Sequence, residues 1–221
     1  MSVNMAAVKE LRGLTGAGIV NCKKALVESD GDVAGAVDWL RTKGLATAAK
    51  KAGRVAAEGA VGSYIHGGGR IGVLLEVNSE TDFAAQTEDF RNLVKELSMQ
   101  IAAHNALYVS TDDVPEDDVA REKEIQLQRL AEDPKLSSKP PQVLEGIVTG
   151  RMRKWFEEVC LLEQAYFRDE DKKVKDFVTE HVAKLGENIQ VRRFVRYTLG
   201  EGIEKRQDDF AAEVAAQAGM N

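Results

Sequence analysis

Three consecutive glycines, Gly67-Gly68-Gly69, stand between two apolar runs and restrict what the chain can do there. Glycine reaches positive φ without a Cβ penalty, and a tight reversal between strands needs such angles. The flanking runs read as strands over Val55 to His66 and Ile71 to Val77, so the pattern predicts an antiparallel hairpin. Thr87 to His104 can cover it, because Phe90, Val94, Leu97 and Ile101 fall on one face of a helix. Near the end, Ile189, Val191, Val195, Tyr197 and Leu199 read as a last strand, bulged near Arg192-Arg193. The simplest core is a three-stranded antiparallel sheet covered by helices, an α+β arrangement. A glycine-rich loop can also cradle phosphates, but no GK[ST] follows here and the next element is a strand, so no nucleotide site is expected.

The first 45 residues read as a separate three-helix module. Val8, Leu11 and Leu14 recur at helical spacing, and Thr15-Gly16-Ala17-Gly18 breaks the pattern. A second helix runs from Ile19 to Ser29. Asp32 is placed to cap the third, whose stripe is Val33, Val37 and Leu40, with Gly44 as a left-handed C-cap. A unit of about 40 residues has little core and is marginal alone, which fits a docking module. The small, basic stretch 46–54 is expected to be a linker or helix extension, 55–200 the core domain, and 201–221 a C-terminal helical module. Within the core, further helices are expected from Pro115 to about Ala131, from Gln142 to Val159, and from Lys172 to Leu185.

Composition narrows the function classes. The chain has 221 residues, 43% of them hydrophobic, enough for a core of its own. No apolar run approaches the roughly 20 residues that span a bilayer. The opening MSVNMAAVKELRG reads as an amphipathic helix, so a cytoplasmic protein without a membrane partner is expected. A net charge of −6 argues against direct nucleic-acid binding, although Lys50, Lys51, Arg54, Arg192, Arg193 and Arg196 could form a basic patch. Cys22 and Cys160 form no CxxC or zinc pattern and are expected to be buried thiols. His66, His104 and His181 stand far apart, without HxxxH or HExxH spacing, and His181 is expected at the surface. No nucleophile, base or metal cluster converges, so the expectation is a non-enzyme with no cofactor.

One segment stands out. Asn78 to Gln86, NSETDFAAQ, places a large aromatic beside an aspartate where a strand ends and a helix begins. Phe83 lies seven residues before Phe90, so on periodicity both could share one face of a continuous helix, with Phe83 in the core. The polar neighbours Ser79, Glu80, Thr81, Gln86 and Thr87 point instead to an exposed ring meant for another protein.

Three segments in order resemble the elongation factor Ts family: VKELRGLTGAGIVNCKKALVESDGDVAGAVDWLRTKG, GSYIHGGGRIGVLLEVNSETDF and LGENIQVRRFVRYTLGEGIEKRQDDFAAEVAAQ. The first is similar to that family's ubiquitin-associated-like module, the second to its core hairpin and TDF motif, the third to its last strand and C-terminal module. The resemblance implies a guanine-nucleotide exchange factor that binds elongation factor Tu, GDP-bound and nucleotide-free, and itself binds no nucleotide. It implies that Thr81, Asp82, Phe83 and Ala84 form a loop entering the partner near its nucleotide and Mg²⁺. It further implies contacts from Arg12, Ile19 and Val20 in the first module, His66 in the hairpin, and Phe210 and Val214 in the last helix. Two departures are plain: Ala84 stands where the family often has Val, and Ile19-Val20 where it often has a Met pair. A single hairpin, TDF loop and late strand place the chain with the short members, and such a half-core is expected to pair as a homodimer. The alternative is an adaptor that binds another protein through its three-helix module without promoting exchange.

Overall fold

The computed structural model describes residues 4–136 and 139–203. Helix α1, Met5–Thr15, begins where the Asn4 side chain accepts from the Ala6 amide and ends at Gly16 in the left-handed region. Helices α2, Ile19–Glu28, and α3, Val33–Lys51, complete the first module, and Asp32 caps α3 by accepting from Gly35 N at 2.8 Å. Val8, Leu11, Cys22, Ala25, Leu26 and Ala36 form its core, with Trp39 and Leu40 against them. Leu14, expected in that stripe, is exposed instead.

Gly44 does not end α3. The helix continues to Lys51, so most of the stretch expected to be a linker or helix extension is helix, and Gly44 lies buried inside it. Alanines at 46, 48 and 49 favour helix. The missing side chain of Gly44 lets α3 approach a later helix, since a Cβ there would sit 3.4 Å from that of Ala183. The first module is thereby packed on the core.

Strands β1, Glu58–His66, and β2, Ile71–Ser79, form the expected hairpin, with His66 opposite Ile71 and all three turn glycines at positive φ. β2 is followed by a single turn of helix, α4, Asp82–Gln86, and then by α5, Glu88–His104. Helices α6, Glu116–Glu132, and α7, Pro141–Val159, pack on one another around Leu130, Val148 and Met152. A small hairpin of β3, Ala165–Tyr166, and β4, Asp169–Lys173, leads into α8, Val174–Leu185, and then β5, Ile189–Thr198. The β3–β4 hairpin has no signal in the sequence pattern, because DEDKK lacks apolar alternation.

β5 pairs with the other edge of β2, giving an antiparallel sheet of order β1-β2-β5. Glu76 faces Arg193 and Val77 faces Val191, so Arg192 is the extra residue of the expected bulge. Val73, Leu75 and Val77 point inward onto Phe90, Leu93, Val94, Leu97 and Ile101 of α5. Val174, Val178 and Val182 of α8 close the same core. The N-terminal module, sheet and helical cover thus form the expected α+β architecture, while the helical module expected over 201–221 lies outside the described residues from 204 on.

Gly59 is where the sheet tolerates least change. Its φ is +133°, and a Cβ there would lie 2.2 Å from the carbonyl oxygen of Val77. Gly59→Ala is therefore expected to destabilise the protein by about 2 kcal/mol or more, read as a lowered denaturation midpoint.

Candidate partner-binding surface

The NSETDFAAQ segment is built as a pinned turn. Ser79, fully buried at the end of β2, donates its hydroxyl to Thr81 O at 2.8 Å. Thr81 then caps α4, its Oγ1 accepting from Ala84 N at 3.3 Å. At the other end Thr87 serves both helices: its hydroxyl donates to Ala84 O at 2.7 Å and accepts from Phe90 N at 3.2 Å. Its backbone is extended, φ −69° and ψ 150°, so α4 and α5 are not one continuous helix.

That break decides the orientation of the two rings. Phe90 is fully buried in the core, whereas Phe83 is 77% exposed. The continuous-helix reading fails because Thr87 caps α5 in place of extending α4. Asp82 is exposed beside the ring in the first turn of α4. Ala84 lies beneath the turn at 6% exposure, so it is the turn's foot rather than part of its outer surface. The small side chain lets a five-residue helix sit close on the sheet and α5.

The turn is also tied to distant chain. Thr81 N and Oγ1 both donate to the Glu187 carboxylate, at 3.0 and 2.6 Å. Asn188 N donates to Glu80 at 2.6 Å, which with the nearby Arg54 holds that carboxyl below its ordinary value. Little in the sequence marks Glu187 and Asn188 beyond their place at a helix-to-strand turn.

Arg12, Ile19 and Val20 are all exposed, Val20 at 80%. Ile19 and Val20 open α2 directly after the Gly16–Gly18 turn, and neither is consumed by the module's own core. Lys184 lies between the α1–α2 turn and the start of α5: it pairs with Asp89 at 2.6 Å, and a Cβ on Gly16 would meet its ammonium at 3.3 Å. His66 is exposed at the hairpin tip, its Nδ1 3.0 Å from the Tyr64 hydroxyl. It stands at the opposite end of the nine-residue β2 from Phe83, about 27 Å away along the strand. His66 therefore stands apart from the turn, at the far end of the hairpin. Phe210 and Val214 lie outside the described residues.

The outer sheet face is apolar and has no helix laid on it among the described residues. Val61, Ile65, Leu74, Val195 and Tyr197 are exposed on it, with Glu76 bonded to Arg192 and Arg193 at 3.0 and 2.7 Å. Those pairs hold the Glu76 carboxyl below its usual value, through the Arg193 hydrogen bond foremost. The possible basic patch is thus dispersed: Arg196 bonds Asn105, and Lys51 donates to the Gly186 carbonyl.

Among the described residues no group of three or more His, Cys, Asp or Glu side chains could hold a metal ion, and no helix is long and apolar enough to cross a membrane. His181, expected at the surface, is half-buried against Phe177, with its Nδ1 2.8 Å from the Phe177 carbonyl oxygen. Both cysteines are buried and unpaired, and burial pushes the Cys160 thiol up to about 11.

A family model described as Elongation factor TS matches residues 46–201. The chain is 57% identical over 216 residues to Elongation factor Ts of Desulforamulus reducens, covering 97% of both chains. It is 55% identical over 220 residues to that of Geobacter metallireducens, covering the whole of each. Against that of a Synechococcus strain the identity is 58% over 221 residues, all of this chain and 84% of the relative.

Because the thiolate is the reactive form, neither cysteine should react with an aromatic disulfide reagent at pH 8 in the native protein, and both should react in denaturant. Rapid native labelling would contradict the burial described.

Proposed function

The chain belongs to the elongation factor Ts family, whose members are translation elongation factors, and from that premise we propose that it is a guanine-nucleotide exchange factor for elongation factor Tu. The observation that carries the proposal is an exposed Phe83 held on a turn capped at both ends. An exposed ring on a yielding loop would be pushed aside by a partner, whereas one on a pinned turn can displace what it meets.

In this reading Phe83 enters the partner beside its nucleotide pocket and shifts the elements that order Mg²⁺. Asp82 offers a carboxylate to the displaced arrangement. Once the ion is lost, the diphosphate is held less tightly, because Mg²⁺ neutralises and bridges its oxygens. Linkage sets the requirement that the factor loosen GDP only as far as GDP loosens the factor. Burying an aromatic contributes about 2–3 kcal/mol, which, applied to one state only, shifts the equilibrium by about one to two orders of magnitude.

The first module supplies affinity through Arg12, Ile19 and Val20, and His66 supplies a remote contact at the hairpin tip. The protein performs no bond-making chemistry, needs no cofactor and works in the cytoplasm. The outer sheet face pairs with that of a second copy, giving a homodimer. A large apolar patch rimmed by polar groups supports that assignment.

Two measurements test this. Phe83→Ala should slow the release of fluorescent GDP from elongation factor Tu by about tenfold or more, yet move stability by no more than about 0.5 kcal/mol, since the ring is in water. A large loss of stability with normal exchange would refute the role. Light scattering at micromolar concentration should return twice the chain mass, and a monomer mass would remove the second copy from the outer face.

A further inference from the structure

We infer that Glu187 is the positioning residue for the Phe83 turn, acting from more than 100 residues away by fixing the Thr81 hydroxyl. The inference rests on the reading of Phe83 above. Five residues of helix cannot sustain themselves, because nucleation is unfavourable and the first hydrogen bonds repay little of it. α4 depends on what holds its ends.

At its N-terminal end every polar group of Thr81 is engaged. The backbone amide donates to one Glu187 oxygen at 3.0 Å, the hydroxyl donates to the other at 2.6 Å, and the carbonyl accepts from Ser79. Because the hydroxyl proton is committed to Glu187, its lone pairs are left to the Ala84 amide, 3.3 Å away. The cap on α4 is therefore oriented by the carboxylate. A charged acceptor taking two donors is stronger and more directional than a neutral one, and the chain Glu187, Thr81, Ala84 polarises cooperatively.

Glu187 is itself well held. Gly186 precedes it as the left-handed C-cap of α8, with its carbonyl bonded to Lys51. Asn188 follows, its amide on Glu80 and its side chain donating to Arg54 O at 2.7 Å. The α8–β5 turn thus joins the end of α3, the exit of β2 and the start of α4. Glu187 reaches the ring through Thr81.

The test is a double-mutant cycle on fluorescent GDP release from elongation factor Tu, with the parent, Glu187→Ala, Phe83→Ala and the double variant. Glu187→Ala should lower the maximal release rate about tenfold with less than about a twofold change in the half-saturating concentration. In the Phe83→Ala background it should change the rate less than about twofold, because the ring it positions is gone. Glu187→Gln, which keeps the shape and one acceptor, should lose about threefold, which covers the case that the alanine variant fails to fold. Thr81→Ser, which keeps the hydroxyl, should lose less than Thr81→Val, and Thr81→Val should match Glu187→Ala. A rate within twofold of the parent for both Glu187 variants overturns the inference. So does an equal loss with and without Phe83, which would mean that Glu187 acts on general stability. Should Phe83→Ala itself leave exchange unchanged, the reading of the ring fails first and takes the positioning role with it, a result distinct from the other two.

Discussion

A three-stranded sheet needs a helix laid flat against its inner face, and the packing of α5 on β1 and β2 meets that need. Phe90, Leu93, Val94, Leu97 and Ile101 fill the space beneath Val73, Leu75 and Val77. The approach is so close that a Cβ at Gly62 would fall 2.3 Å from a methyl of Val94. With strand and helix fixed in two layers, residues 80–87 must carry the chain between them. One turn of helix capped by a threonine at each end makes that crossing. Its inner side is Ala84 and its outer side is Phe83, so the protruding ring follows from how the core is closed.

Much of this architecture could be read in advance where local chemistry and tertiary packing agree. The three turn glycines, the Asp32 cap and the apolar face of α5 all behave as their residue types demand. The disagreements come where distant chain decides. Gly44 has the chemistry of a helix terminator, yet Ala183 rewards a glycine that lets two helices touch. DEDKK has no strand pattern, and it pairs because the preceding Ala165–Tyr166 offers backbone partners. Phe83 and Phe90 share helical spacing, but Thr87 spends its hydroxyl on a new cap and turns them apart. Within the candidate surface the exposed pair Ile19-Val20 and the TDF turn were legible, while Glu187 was not, since a carboxylate's use depends on what lies opposite.

The charges also show economy of placement. Arginines that looked available to a polyanion are engaged with Glu76, Glu80 and Asn105. These exposed pairs contribute little stability individually. Their effect is to keep positive charge local, on a chain whose balance is acidic, and to leave the apolar outer face of the sheet framed by neutralised groups.

The central strand finds its two neighbours at very different distances along the chain. β1 is a four-residue turn away, but Glu76 meets Arg192 across 116 residues. During synthesis β1 and β2 can therefore close early, while the far edge of β2 waits, with its backbone unpaired, until more than a hundred further residues have followed. A factor that serves elongation thus depends on elongation reaching its own β5, and a stalled chain would expose a sheet edge ready to pair with the wrong neighbour.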